Sequence, residues 1–169
     1  MVSKHAGARP GASGPGTPAT VALVAAGIRF IAHTYAHDAG TANYGLEAAA
    51  ALGLDPDRVF KTLVAMADGR LVIGIIPVTG MLRLTSLATA VAAKRAVMAD
   101  PAVAERKTGF VVGGISPIGQ KTALPTVLDE TAVLWDTIYV SGGRRGFDIE
   151  LAPDDLLRVT GGTLAALAR

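Results

Sequence analysis

The spacing of apolar positions changes several times along this chain, and each change marks an element. From Val59 to Met66 apolar side chains fall on both faces of an extended run, and Leu71 to Ile76 repeats the pattern after Asp68-Gly69. A two-residue Asp-Gly step between such runs predicts a hairpin, and apolar residues on both faces predict strands covered on both sides. Upstream, Thr17-Pro18 predicts the cap and first position of a helix reaching about Ala26, which Gly27 ends. An alternating stretch from about Ile28 to Tyr35 predicts a strand. The Leu46 to Leu52 run, rich in alanine, predicts a helix from Asn43 or Tyr44 to Gly53, followed by a short turn at Asp55-Pro56.

Downstream of the hairpin, Pro77 and Gly80 break the pattern. Helices are then predicted over Leu84 to Ala93 and from Asp100-Pro101 to Lys107, with a short strand at Ala96 to Met98 between them. Strands follow at Phe110 to Val112, around Val127, at Thr137 to Val140 and at Phe147 to Leu151. A helix opens at Ala152-Pro153, and a last helical stretch is predicted from Thr163. Short strands interrupted by short helices make this an α+β chain. Residues 1–17 lack periodicity and are rich in Gly, Ala, Pro and Ser, which predicts a flexible tail ahead of one domain, 18–169.

Composition narrows the chemistry more than the fold. Only 5% of residues are aromatic while 50% are hydrophobic, so Ala, Val, Leu and Ile must build the core. The absence of cysteine removes disulfides, thiolate metal sites and a thiol nucleophile at once. The longest apolar runs fall far short of the roughly twenty residues of a spanning helix, and no signal-peptide core precedes them. A soluble, cytoplasmic protein is expected. Net charge is only +2, which by itself points to no nucleic acid, yet the bases cluster at Lys94-Arg95, Arg106-Lys107 and Arg144-Arg145, with Lys121 between. On one face they would contact phosphates; scattered, they are solvated charges.

Two stretches carry candidate chemistry. Phe110 to Val112 and Ile138 to Val140 each run into a Gly-Gly pair, Gly113-Gly114 and Gly142-Gly143. Paired glycines at strand ends make hairpin turns, or let a backbone come close to a ligand. The first loop suits presentation of backbone N–H groups from Gly113, Gly114 or Ile115 to a developing oxyanion, and Ser141, Gly142 and Gly143 would supply a second set. Ser116 reads as part of this binding loop and not as a nucleophile, because it lacks the second glycine of a Gly-x-Ser-x-Gly elbow and any spaced His-Asp pair. Lys61 stands on an otherwise apolar strand face, where a lysine must snorkel, pair or face a cleft. His33, Tyr35 and His37 share a face if their strand continues, but the β-type residues between them argue against a helical His-x-x-x-His metal site. No metal or cofactor is expected.

The string Val-Gly-Gly-Ile-Ser-Pro-Ile-Gly-Gln-Lys from Val112, with Leu-Pro-Thr and Ile-Tyr-Val-Ser-Gly-Gly-Arg-Arg-Gly-Phe-Asp-Ile-Glu-Leu after it, closely resembles the YbaK family of Cys-tRNA(Pro) deacylases, relatives of the prolyl-tRNA synthetase editing domain. His33 to Asp38, Val59 to Leu63 and Met98 to Pro101 fit as well, in order. The resemblance implies a mixed-sheet, barrel-like core with helices outside. It implies a single-domain trans-editing hydrolase whose substrate is mischarged Cys-tRNA(Pro), with tRNA and, transiently, prolyl-tRNA synthetase as partners. Lys61 matches a lysine essential for deacylation, Asp148 an aspartate of the site, and Tyr35 and Tyr44 aromatic residues of the aminoacyl pocket. With Gly114, Lys61 and Asp148 are the expected catalytic set; Asp148 would bind the substrate ammonium or fix Lys61. The family's substrate is thought to attack its own ester with its thiol, which agrees with a chain lacking cysteine and a triad. Two other readings stay open: a deacylase for Ala-tRNA(Pro) or another small aminoacyl-tRNA, and a non-catalytic module that binds aminoacyl-tRNA.

Overall fold

The structure, a computed structural model, describes residues 16–169. In chain order it contains helix α1 (Pro18–Ala25), strand β1 (Ile31–Thr34), α2 (Tyr44–Leu52), β2 (Phe60–Ala67), β3 (Arg70–Pro77), α3 (Leu84–Ala90), β4 (Ala96–Met98), α4 (Pro101–Thr108), β5 (Thr126–Asp129), β6 (Ile138–Arg144), β7 (Phe147–Leu151), α5 (Pro153–Thr160) and β8 (Thr163–Ala165). Two sheets result. One has the order β1-β7-β6, all antiparallel; the other has the order β4-β2-β3-β5-β8, in which β5 runs parallel to both of its neighbours. A parallel bridge between Val59 and Tyr139 joins them. This is the expected α+β class in a single mixed-sheet domain.

Strand alternation decides where the site lies. On one face of β2, β6 and β7, the side chains of Phe60, Val64, Ile138, Val140, Phe147, Ile149 and Leu151 enter the main core, together with Leu23 of α1 and Leu128 of β5. The opposite face of β2 joins a second core through Ala65 and Ala67. Toward its start this face meets a third cluster, in which Val59 and Tyr139 pack against Ala48 and Ala49 of α2. Both faces of β2 are therefore covered, as its apolar pattern predicts. The small alanines let α2 lie close, and Gly45 approaches Val78 so tightly that a methyl group would stand 2.2 Å from its Cγ1.

Local signals account for most boundaries. Thr17 accepts from the Thr20 N–H at the start of α1, and Asn43 and Asp100 cap α2 and α4. Left-handed glycines close α2, α4 and α5. The structure differs from the sequence reading in several places. Helix α3 stops at Ala90, short of the expected Ala93. Strand β1 is shorter than the predicted run from Ile28 to Tyr35. Phe110 to Val112 is not a strand: the Phe110 and Val112 N–H groups donate to Thr108 Oγ1 and the Glu105 carboxylate, so side chains take the place of a ladder. Strand β6 does not stop at Val140 but continues through Gly142 and Gly143, with a register shift between Ser141 and Arg144. Finally, Thr163–Ala165 is strand β8 and not helix, because it pairs with β5 while the Asp129 carboxylate accepts from the Leu167 and Ala168 N–H groups.

The expected tail, residues 1–17, lies outside the described residues except for Gly16 and Thr17. Thr17 is buried, and its hydroxyl donates to the Gly142 carbonyl at 2.5 Å, which ties the start of α1 to the β6 bulge. Among the described residues no helix is long and apolar enough to cross a membrane.

Candidate active site

The two sheets leave a cleft of about 610 Å³ beside the first half of β2. β2 is paired with β3 along its length, but β4 pairs only with its last residues, Ala65 to Ala67. The edge near Lys61 is thus left to the cleft. Lys61 and Leu63 come from β2, Ser141 and Asp148 from β6 and β7, and Tyr35 from the end of β1. Tyr44 at the start of α2, Met98 and Ala99 at the end of β4, and Val112, Gly113 and Ile115 also line it. Most of this lining is small or apolar, so the few polar groups stand out.

Two opposite charges face this space without partners. The Asp148 side chain, buried on the far face of the strand that sends Phe147 and Ile149 into the core, has no hydrogen bond or ion pair among the described residues. Burial pushes its carboxyl up to about 7. Lys61 likewise has no polar partner among the described residues, and burial lowers its ammonium from the usual lysine range. Tyr35 is pushed upward first by burial and then by the Asp148 charge, so its phenol stays neutral. Unpaired buried charge costs free energy unless something else compensates, and in a cleft that something is a ligand.

The rim is built around Tyr44. A methyl group on Gly113, whose φ is +86°, would stand 2.7 Å from the Tyr44 ring, so only glycine fits there. The Arg145 guanidinium lies 5.1 Å from the centre of the same ring, and its Nε donates to the Val112 carbonyl at 2.9 Å. The centre of the His37 ring is 5.6 Å from that of Tyr44. His37 pairs with Glu47 and His33 with Glu150, so the two histidines of the His-x-x-x-His spacing serve separate carboxylates.

Residues 40–159 match the aminoacyl-tRNA editing domain. The chain belongs to that family. EbsC of Enterococcus faecalis, provisionally named as a Cys-tRNA(Pro)/Cys-tRNA(Cys) deacylase, is 41% identical over 120 residues, covering 70% of this chain and 73% of that protein. A crystal structure provisionally described as a trans-editing enzyme for prolyl tRNA synthetase is 25% identical, with a TM-score of 0.79 over 92% of this chain and 99% of its own. A hypothetical protein with a TM-score of 0.80 and 24% identity, covering 90% and 100% of the two chains, shares the fold.

In this editing domain the cleft gathers Lys61, Asp148, Tyr35, Tyr44, Gly113, Ile115 and Ser141 from the residues singled out in the sequence. Four others stand behind it. The Gly114 N–H donates to the Val111 carbonyl, and a methyl group there would strike the Arg144 backbone at 2.7 Å, so Gly114 shapes the loop instead of facing the cleft. Ser116 is fully buried, its Oγ accepting from the Ile118 N–H. Gly142 and Gly143 pack on the Phe147 and Phe110 rings. The twin glycine pairs therefore differ, for only the first reaches the cleft. Sequence reasoning missed Leu63, Thr62, Met98, Ala99 and Ala104 as lining, since nothing distinguishes them from core residues in one dimension.

Proposed function

We propose that this editing domain hydrolyses the ester of mischarged aminoacyl-tRNA, with Cys-tRNA(Pro) as its substrate. The observation that carries the reading is the pair of unpartnered, opposite charges, Lys61 and Asp148, in a cleft otherwise lined by small and apolar groups. An aminoacyl ester supplies what each lacks. Its α-ammonium compensates the Asp148 carboxylate, and its carbonyl, where negative charge develops during attack, meets the Lys61 ammonium. The likeness to EbsC, a relative named for cysteinyl substrates, supports cysteine as the amino acid.

The family resemblance implies that the substrate's own thiol is the nucleophile. A chain with no cysteine and with Ser116 buried beneath its loop agrees with that step. The thiol gives its proton to solvent as its sulfur forms a bond to the ester carbon, the bond from that carbon to the ribose oxygen breaks, and the ribose oxygen takes a proton from water. The products are a thiolactone and free tRNA, and water then opens the thiolactone to cysteine. Lys61 stabilises the oxyanion and the departing oxygen; Gly113 and Ile115 form part of the cleft wall. Prolyl-tRNA synthetase, which would produce the mischarged tRNA, is the transient partner in this reading, and the protein acts in the cytoplasm.

Deacylation of a panel of charged tRNAs by the purified protein tests it. Cys-tRNA(Pro) should turn over fastest, with thiolactone appearing before free cysteine, and Ser-tRNA should react far more slowly because a hydroxyl is much less ionised than a thiol near pH 7. Ser116→Ala should keep most of the activity. Preference for Ala-tRNA(Pro), or an inactive Ser116→Ala protein that is well folded, would refute the thiol mechanism.

A further inference from the structure

Five bases that lie far apart in sequence converge on the segment between α4 and β5. Arg106 and Lys107 occupy the last turn of α4. The Lys121 N–H donates to the Thr108 carbonyl at 2.8 Å and the Thr122 N–H to the Lys107 carbonyl at 3.2 Å, which folds the 119–122 loop back onto the end of that helix. From the other side, the Arg144-Arg145 turn packs against Gly114, and Arg145 bonds to Val112. Val112 and Gly113 are themselves cleft wall. All five side chains are exposed, and none forms an ion pair among the described residues. The carboxylate in their midst, Glu105, is turned to the Val112 N–H at 2.9 Å.

Resting on the reading of the cleft as an aminoacyl-ester site, we infer that Arg106, Lys107, Lys121, Arg144 and Arg145 form one cationic rim that holds the acceptor-arm phosphates of tRNA while the aminoacylated end enters the cleft. Uncompensated, exposed bases drawn from three separate segments to one side of a cleft mouth are the electrostatic footprint of a polyanion. A net charge of only +2 does not conflict with this, because the field is local. Arg145 differs from the other four: with its guanidinium over Tyr44 and its Nε on Val112, it also positions the cleft wall.

The test therefore leaves Arg145 intact. A Lys107→Gln, Lys121→Gln, Arg144→Gln protein should show KM for charged tRNA raised at least roughly tenfold near physiological salt, with kcat within about threefold, and a salt dependence of tRNA binding shallower by about two in the log–log slope. Hydrolysis of cysteinyl-adenosine, which carries no phosphate, reads the cleft alone and should change less than about threefold. A matched variant at the β2–β3 hairpin end, Arg70→Gln, Lys94→Gln, Arg95→Gln, removes the same charge elsewhere and should keep the wild-type slope. Equal slopes in the rim variant and the wild type, or equal losses in both variants, would overturn the inference. If the wild type does not cleave cysteinyl-adenosine, the reading of the cleft fails, while binding of uncharged tRNA still decides the rim.

Discussion

Asp148 and Ile149 are neighbours in the chain and opposites in the fold. Ile149 points into the main core between Val140 of β6 and Ala32 of β1, fully buried; Asp148 points the other way, between Ser141 and His33, into the cleft. In β2 the division is less sharp, for Phe60 and Val64 belong to the main core and also line the cleft that Lys61 meets. One face holds the domain together, and the other keeps charges that the folded state would be more stable without. Alternation thus separates stability from chemistry within β7, so substitutions one residue apart there should have effects of different kinds.

The strongest test on the core face is Ile149→Ala. Removing three buried carbons there should cost about 2–5 kcal/mol, which in a domain of this size lowers the melting temperature by roughly 5–15 °C. Turnover per folded molecule at low temperature should stay near wild type. A stable but inactive Ile149→Ala protein would break the division between faces.

On the cleft face, Lys61→Met should reduce kcat/KM by at least about a hundredfold, as expected for one oriented electrostatic contact, while tRNA binding persists. Its melting temperature should be unchanged or higher, because the half-buried ammonium has no partner to lose. Wild-type-like turnover in this variant would remove Lys61 from the site and favour a binding module.

Asp148→Asn sharpens the contrast through pH. Burial raises the folded-state pKa to about 7, against about 3.9 for an unperturbed aspartate. The neutral acid is therefore favoured by folding, and its contribution, complete below about pH 4, is lost as pH rises through 7. The melting-temperature advantage of Asp148→Asn over the wild type should accordingly widen from pH 4 to pH 8, by up to a few kcal/mol in stability. Activity should respond in the opposite sense: wild-type kcat/KM rises as the carboxylate ionises near pH 7. Asp148→Asn should lose about tenfold together with that limb, keeping only the rise near pH 8.5 from the substrate thiol. Identical pH profiles would show that Asp148 takes no part in binding the ammonium.

The smallest expected effect belongs to Thr17→Val. It removes the hydroxyl that links α1 to the Gly142 carbonyl and should cost about 1 kcal/mol by hydrogen-bond loss and weakened capping. Chemistry in the cleft should hardly change, since Gly142 stands behind the wall.

Local patterns that satisfy themselves were legible in the residues. The Asp68-Gly69 hairpin, the capped starts of α1, α2 and α4, and the two-faced β2 all follow from short-range rules. Lys61 stood out because its face was otherwise apolar. What could not be read depended on distant partners. Phe110 to Val112 has strand-like residues, but Glu105 and Thr108 take its N–H groups. Thr163–Ala165 becomes a strand only because β5 and Asp129 are waiting. Gly113-Gly114 and Gly142-Gly143 look alike in one dimension, and only the surroundings of Tyr44 and Phe147 tell them apart.

Among the described residues, the sheets share a core but pair their backbones only at Val59 and Tyr139, and the cleft opens beside that seam. Its size is consequently not set by a closed ladder of backbone hydrogen bonds. Leu63, Met98 and Ala99 line this cleft and can change volume without removing a backbone hydrogen bond. A lineage carrying this scaffold could therefore move from one amino acid to another by a few side-chain replacements, keeping Lys61 and Asp148 where they are. A joint without a continuous backbone ladder is thus also a place where selectivity can be revised.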